Sequence, residues 1–279
     1  MRIDMHVHTT ESDGRTEIDN LINLCKSRDV TAIGLADHWK TKRYSKEFFV
    51  ADIHQYIEKC TILKQAAANT GINVYIGMEV DFSGKYGFDI SPHDLEDFNM
   101  LDYILFEYVD TESEDWGTVD GKSIWELFKV REYLTVPVGL AHNNFVHNFS
   151  DNTENIVKEM SERNIFLELC EGEPLGQKAV DASTLKKLLS LKKNMGDLAI
   201  YNGEKAINRQ KHMTGSLYYF ETFPEEFWKY VQKYGLKLSL GTDCHSGTSL
   251  GKCSRAEKIL EKYQLFDQLV FNTGMILRT

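Results

Sequence analysis

The chain has 279 residues, 42% of them hydrophobic and 27% charged, an ordinary globular composition with enough length to bury a sizeable core. Lys and Arg number 32 against 42 Asp and Glu, a formal charge of −10. That balance argues against a nucleic-acid or membrane-surface binder working through bulk charge, and no apolar run approaches the roughly 20 residues that cross a bilayer.

In chain order, strands are predicted at Arg2–His8, Thr31–Asp37, Asn73–Val80, Asp102–Val109, Val136–Ala141, Ile165–Leu169 and Lys237–Thr242. Helices are predicted near Glu17–Arg28, Val50–Asn69, Lys122–Tyr133, Thr153–Arg163, Asp181–Leu191, Pro224–Tyr234 and Ser254–Tyr263. The 3.6-residue period is clear in Ile18, Leu21, Ile22 and Cys25. Turn and helix-cap residues stand at Ser12–Gly14 and Ser150–Asn152. The opening Arg2–His6 reads as a strand and not as an apolar h-region or transit segment, and the four prolines mark no linker, so residues 1–279 are expected to form one domain. Five scattered cysteines without a CxxC pair read as reduced thiols of a cytoplasmic protein. No heptad or apolar surface run specifies an oligomeric state.

Strands alternating with helices imply a parallel sheet with right-handed crossovers. No GxGxxG or GxxxxGK[ST] follows any strand, so an open nucleotide-binding sheet lacks its usual signature. The polar residues favour a closed barrel. His6 and His8 end the first strand, His38 the second and Glu79 the third. Glu107 lies near the end of the fourth, His142 follows the fifth, and Asp243 and His245 follow the seventh. In a β/α barrel all those ends open on one face. Asp4, His6 and His8 share a strand face, and the same two-residue step recurs at Glu79–Asp81 and Asp243–His245. Imidazoles and carboxylates together suit two or three divalent ions, with a carboxylate such as Glu79 between them. His54, His93, His147 and His212 lie outside this pattern and read as ordinary helix or loop residues.

These segments resemble the polymerase-and-histidinol-phosphatase (PHP) superfamily of metal-dependent phosphoesterases. The match runs through Asp4-Met5-His6-Val7-His8-Thr9 with Ser12-Asp13-Gly14, then Ala36-Asp37-His38, Gly77-Met78-Glu79 and Ala141-His142. It ends at Gly241-Thr242-Asp243-Cys244-His245-Ser246. The resemblance implies a single distorted seven-stranded (β/α)7 TIM-like barrel with the metal site at the C-terminal face of its strands. It implies one ion on His6, His8, Glu79 and Asp243, a second on Asp13, His38 and His245, and a third shared by Glu79 and His142. Asp13, His38, Asp243 and His245 would serve catalysis as well as metal binding, and Asp37 would orient a ligand. Many members end the fourth strand in Ser-x-His. Here Val109 stands at the His position, and Glu107, two residues earlier on the same face, is read as the substitute.

The implied activity is hydrolysis of a small phosphate monoester by hydroxide activated on two or three ions of Zn, Mn or Fe, in the manner of histidinol phosphatase. Lys40 and Arg43, just after His38, and Arg209, in a later basic stretch with Lys205 and Lys211, are candidates to meet the phosphate. Glu168 and Glu171 are candidates for ligand support or substrate contact. The partner expected is a small phosphorylated molecule, with no membrane and no long nucleic acid. Three alternatives stay open: a nucleotide or oligonucleotide phosphoesterase, an amidohydrolase-type barrel, and a non-catalytic metal-binding domain. The second usually needs a bridging Lys near the fourth strand, and none stands there.

Overall fold

A computed structural model describes residues 2–43, 45–114, 117–172 and 218–271. The strands are β1 (Arg2–Val7), β2 (Val30–Leu35), β3 (His38–Trp39), β4 (Asn73–Asp81), β5 (Tyr103–Glu107), β6 (Ser113–Glu114), β7 (Gly117–Thr118), β8 (Val138–Leu140), β9 (Ile165–Cys170) and β10 (Leu238–Gly241). All seven predicted strands are present, their ends displaced by no more than two residues. The helices are α1 (Leu21–Ser27), α2 (Ile53–Ala67), α3 (Pro92–Phe98), α4 (Ile124–Arg131), α5 (Phe145–Asn148), α6 (Thr153–Glu162), α7 (Glu225–Tyr234) and α8 (Ser254–Tyr263). The helix predicted at Asp181–Leu191 lies outside the described residues.

Local chemistry accounts for the helix limits. Asp52 accepts hydrogen bonds from the backbone of His54 and Gln55 and so starts α2. That helix buries Ile53, Tyr56, Cys60, Leu63 and Ala67, one stripe at helical spacing. Ser123 and Glu126 form a capping box on α4, and Gly235, at φ 67°, ends α7. Sequence reading places a helix start at Ser91-Pro92 but gives α3 no range; Ser91 and Asp94 form the same box there with proline in the first turn.

Seven strands run parallel in the order β1-β2-β4-β5-β8-β9-β10. The ring nearly closes between its first and last members. There the Cys244 amide donates to the His6 carbonyl at 3.1 Å, and the His8 amide donates to the Cys244 carbonyl at 3.0 Å. The two-residue β3 adds to β4 with His38 opposite Glu79. A short antiparallel pair, β6–β7, stands apart from the ring.

One apolar layer lies between ring and helices, and the aromatic residues Phe220, Phe223, Phe227 and Trp228 belong to it. A second cluster, inside the ring, joins Ile3, Met5, Ala32, Tyr103, Leu105, Phe166 and Phe271. The Tyr103 hydroxyl lies 2.7 Å from the Met5 carbonyl and 3.0 Å from that of Leu35, which satisfies a polar atom that burial would otherwise penalise. Among the described residues no helix is long and apolar enough to cross a membrane.

Candidate metal centre

The ends of β1, β3, β4, β5, β8 and β10 bring together the nine residues His6, His8, Asp13, His38, Glu79, Glu107, His142, Asp243 and His245. His6 and His8 are fully buried, and their Nε2 atoms face each other at 3.1 Å. Glu79 Oε2 lies 3.3 Å from His6 Nε2 and 3.4 Å from His8 Nε2, and Asp243 Oδ1 lies 3.0 Å from His8 Nε2. Donors sharing a tetrahedral ion with bonds of about 2.1 Å stand roughly 3.4 Å apart. The donors of His6, His8 and Glu79 therefore lie at a spacing that one divalent cation could span.

A second group takes the outer side of His8. Asp13 Oδ2 is 3.2 Å from His245 Nε2 and 3.7 Å from His38 Nε2, and Asp13 Oδ1 is 3.5 Å from His8 Nδ1. The His8 and His245 rings stack with centroids 4.2 Å apart. A third group surrounds the other oxygen of Glu79. His142 Nε2 lies 3.0 Å from Glu79 Oε1 and 3.9 Å from Glu107 Oε2, while His38 Nδ1 lies 3.5 Å from Glu107 Oε1. Glu79 is thus common to two groups, one oxygen turned toward each. Glu107 Oε1 is buried and accepts no hydrogen bond, an acceptor aimed into the cluster.

Supporting residues fix these donors. Glu168, fully buried, lies 2.9 Å from His6 Nδ1 and accepts the His142 amide at 2.8 Å. With the Nδ1 proton shared with Glu168, His6 Nε2 keeps its lone pair for a cation. Asp37 accepts from the Thr9 amide, the Thr9 hydroxyl and the Ser12 hydroxyl. It holds the loop that carries Asp13 and does not reach a ligand ring itself. Asp4 shares the strand face of His6 yet stays out of the cluster. It accepts from Thr242 amide and hydroxyl and from the Gly251 amide, clamping the turn before Asp243. Asp81 likewise accepts from Thr41 and Ser83 hydroxyls. Three strand-end residues, Tyr108, His142 and Asp243, hold positive φ of 64°, 29° and 48°, the kind of backbone strain that persists where the surroundings over-determine it.

Charge is shared among these groups in opposite senses. Burial works against protonated His6, but Glu168 and Glu79 outweigh it and hold its pKa well above the usual value. His8 behaves alike under Asp243 and Glu79, and His142 rises to about 10 against burial through Glu79. Burial opposes ionisation of Glu79, Asp243 and Asp13, yet the neighbouring histidines hold all three below the carboxylate range. His38 is the exception, pushed down to about 4 by burial. Glu107 is pushed well up by burial and by Glu79.

The remaining expected residues fall as follows. Lys40 pairs with Asp94 at 3.3 Å and lies over Trp39. Arg43 turns toward Asp81, Glu107 and Tyr108. Glu171 accepts from the Arg255 and Ala256 amides and caps α8. Arg209, Lys205 and Lys211 lie outside the described residues. Sequence reading gives no role to Tyr108, or to Thr242, although Thr242 lies within the last matched segment.

A parallel β/α ring with imidazoles and carboxylates converging at its strand ends defines a barrel whose clustered side chains are compatible with metal ions. The chain belongs to the PHP family, whose domain model matches residues 4–264. No curated protein matches it in sequence. Among solved structures it is similar to histidinol phosphate phosphatase from Lactococcus lactis complexed with zinc, L-histidinol and phosphate. That match has a TM-score of 0.54 and 12% identity, and covers 94% of this chain and 93% of the other. A protein from Listeria monocytogenes assigned as a histidinol phosphatase matches with TM-score 0.54 and 13% identity, over 91% and 99% of the two chains. At such identity the likeness is one of fold.

Proposed function

We propose that this protein is a metal-dependent hydrolase of small phosphate monoesters. The observation that carries the reading is Glu79, fully shielded, with Oε2 toward His6 and His8 and Oε1 toward His142. That is the geometry of a carboxylate between two cations. His6, His8, Glu79 and Asp243 would hold one ion. Asp13, His38 and His245 would hold a second, and Glu79, Glu107 and His142 a third. Zn, Mn and Fe all suit this donor set. When bound, such ions supply Lewis acidity to phosphoryl oxygens and an activated water for in-line attack.

The chain's own residues do the rest. Glu168 fixes the ring of His6, and Asp37 fixes the Asp13 loop. Asp13 and His245, only part-buried, stand at the solvent side, where a substrate enters. Asp13, His38, Asp243 and His245 are the residues that would meet the reacting phosphate with their ions. Three dications would outnumber the charges of the four carboxylates Asp13, Glu79, Glu107 and Asp243, leaving a locally positive floor for a phosphate dianion. The five cysteines are buried thiols, which fits a reducing, cytoplasmic setting.

The test is a substrate panel. Protein stripped with chelator and reloaded with Mn or Zn is expected to cleave phosphomonoesters such as histidinol phosphate. Cleavage of an amide or lactone with no phosphate ester turned over would overturn the reading.

A further inference from the structure

Three carboxylates crowd one side of the cluster. Glu79 and Asp81 lie two residues apart on β4, and Asp81 stands opposite Glu107 in the parallel register of β4 with β5. All three are buried, at 1%, 4% and 1% exposure. Uncompensated buried charges of one sign are costly. His142 and His38 face Glu79 and Glu107, but imidazoles that ligate metal are neutral. Among the described residues, one permanent cation reaches this side: Arg43, 3.7 Å from Asp81 Oδ2 and 3.9 Å from Glu107 Oε2.

Arg43 is built into place. Its guanidinium lies over the Tyr108 ring, 4.2 Å from the centroid, and donates to the Tyr108 hydroxyl. Its amide donates to the Thr41 hydroxyl, which in turn donates to Asp81 at 2.9 Å. The Tyr86 ring lies on it from another side, at 5.3 Å. Only 18% of the side chain is exposed. A guanidinium so enclosed faces carboxylates, not open solvent.

Resting on the metal reading above, we propose that Arg43 is a positioning residue that makes Glu107 a usable metal ligand. A glutamate at this strand end, rather than a neutral side chain, brings an extra buried negative charge. Arg43 offsets that charge from behind and aligns the carboxylate toward the position shared with Glu79 and His142. Its role is exerted through Glu107 and not by gripping substrate.

The test is calorimetric titration of chelator-stripped protein with MnCl2, alongside phosphomonoesterase kinetics. Wild type is expected to take up three ions. Arg43→Gln should keep two and weaken the last by roughly 10- to 100-fold, the usual effect of losing an outer partner of a ligand. Arg43→Lys, which retains the charge, should recover most of that loss. In a Glu107→His background the Arg43→Gln change should cost little, because the charge it offsets is gone. Melting curves of each stripped protein identify any variant that fails to fold, and the Lys variant and the double variant then decide. Additive effects of the two substitutions would overturn the proposal. So would an unchanged metal count with a raised KM, which would make Arg43 a phosphate clamp. A wild type holding two ions and still cleaving esters sinks this inference alone, whereas a wild type that takes up no metal and cleaves no ester sinks the functional reading.

Discussion

His8 works on two sides at once. Its Nε2 faces Asp243, Glu79 and His6, and its Nδ1 faces Asp13. One imidazole cannot ligate through both nitrogens while also donating a proton. On the metal reading proposed above, the closer Nε2 contacts would assign it to the inner ion, leaving Nδ1 facing Asp13 at 3.5 Å. Replacing His8 by Ala should therefore abolish activity, and Glu168→Gln, which leaves the ligands in place, should lower metal affinity by about 10- to 100-fold. A phosphomonoesterase assay measures the first and competition with a fluorescent chelator the second, and a Glu168→Gln protein with wild-type affinity would remove the carboxylate from the site's support. Most of the candidate ligands are legible in the sequence because they stand at or just after the end of a β-branched or apolar run, whereas Asp13, in the Ser12-Asp13-Gly14 turn, is named through the resemblance alone. Glu168 and Asp4 were only half legible. Their types were visible, but their roles depend on partners 162 and 238 positions away, which no local spacing encodes.

Among the elements, the seam from β9 across β10 to β1 carries the most consequence for the site. Gly241 ends β10 where a Cβ would collide with Glu168 Oε1 and lie 2.7 Å from His6 Cβ. Both atoms belong to fixed, buried groups, so neither can yield cheaply. Gly241→Ala should destabilise the fold by about 2 kcal/mol, as overpacking usually does, and should also weaken metal binding by displacing the Glu168–His6 pair. Thermal melts with and without Mn separate the two effects. A variant with unchanged melting in both would mean that the seam is slack. The sheet was readable from alternation of strand and helix, and closure from where the ligand residues fell. The two-residue β3 was not, because its pairing depends on the register of His38 with Glu79. The α3 start at Ser91-Pro92 is legible in the sequence, but the seven-residue helix that follows it is given no range there.

For the molecule as a whole, the cluster ties stability to pH. Without metal, His6, His8 and His142 hold protons more tightly folded than unfolded. Their contribution is complete below an unfolded value of about 6.5 and is lost as pH rises through the folded values. For His142 that loss extends to about 10. The depressed carboxylates Glu79, Asp243 and Asp13 act the other way and lose their contribution only in acid. Chelator-stripped protein should accordingly melt at falling temperature from pH 6.5 to 10. Ions must displace those same protons, so loaded protein should resist the alkaline decline and metal uptake should release protons. Calorimetry in buffers of different ionisation enthalpy reads that release, and a stripped protein whose melting temperature rises with pH would contradict the assignment. On the proposed reading the −10 charge would overstate the repulsion that a small phosphate meets, since Asp13, Glu79, Glu107 and Asp243 would be offset by cations.

The closing hydrogen bonds between His6, His8 and Cys244 also impose an order of events. A ribosome delivers β1 long before β10, so the emerging chain carries His6 and His8 without Asp243 or His245 beside them. Contacts of such long range form late. On the metal reading proposed above, the two histidines would stand as solitary imidazoles through most of synthesis, and a cation would meet its full donor set only once the last strand docks.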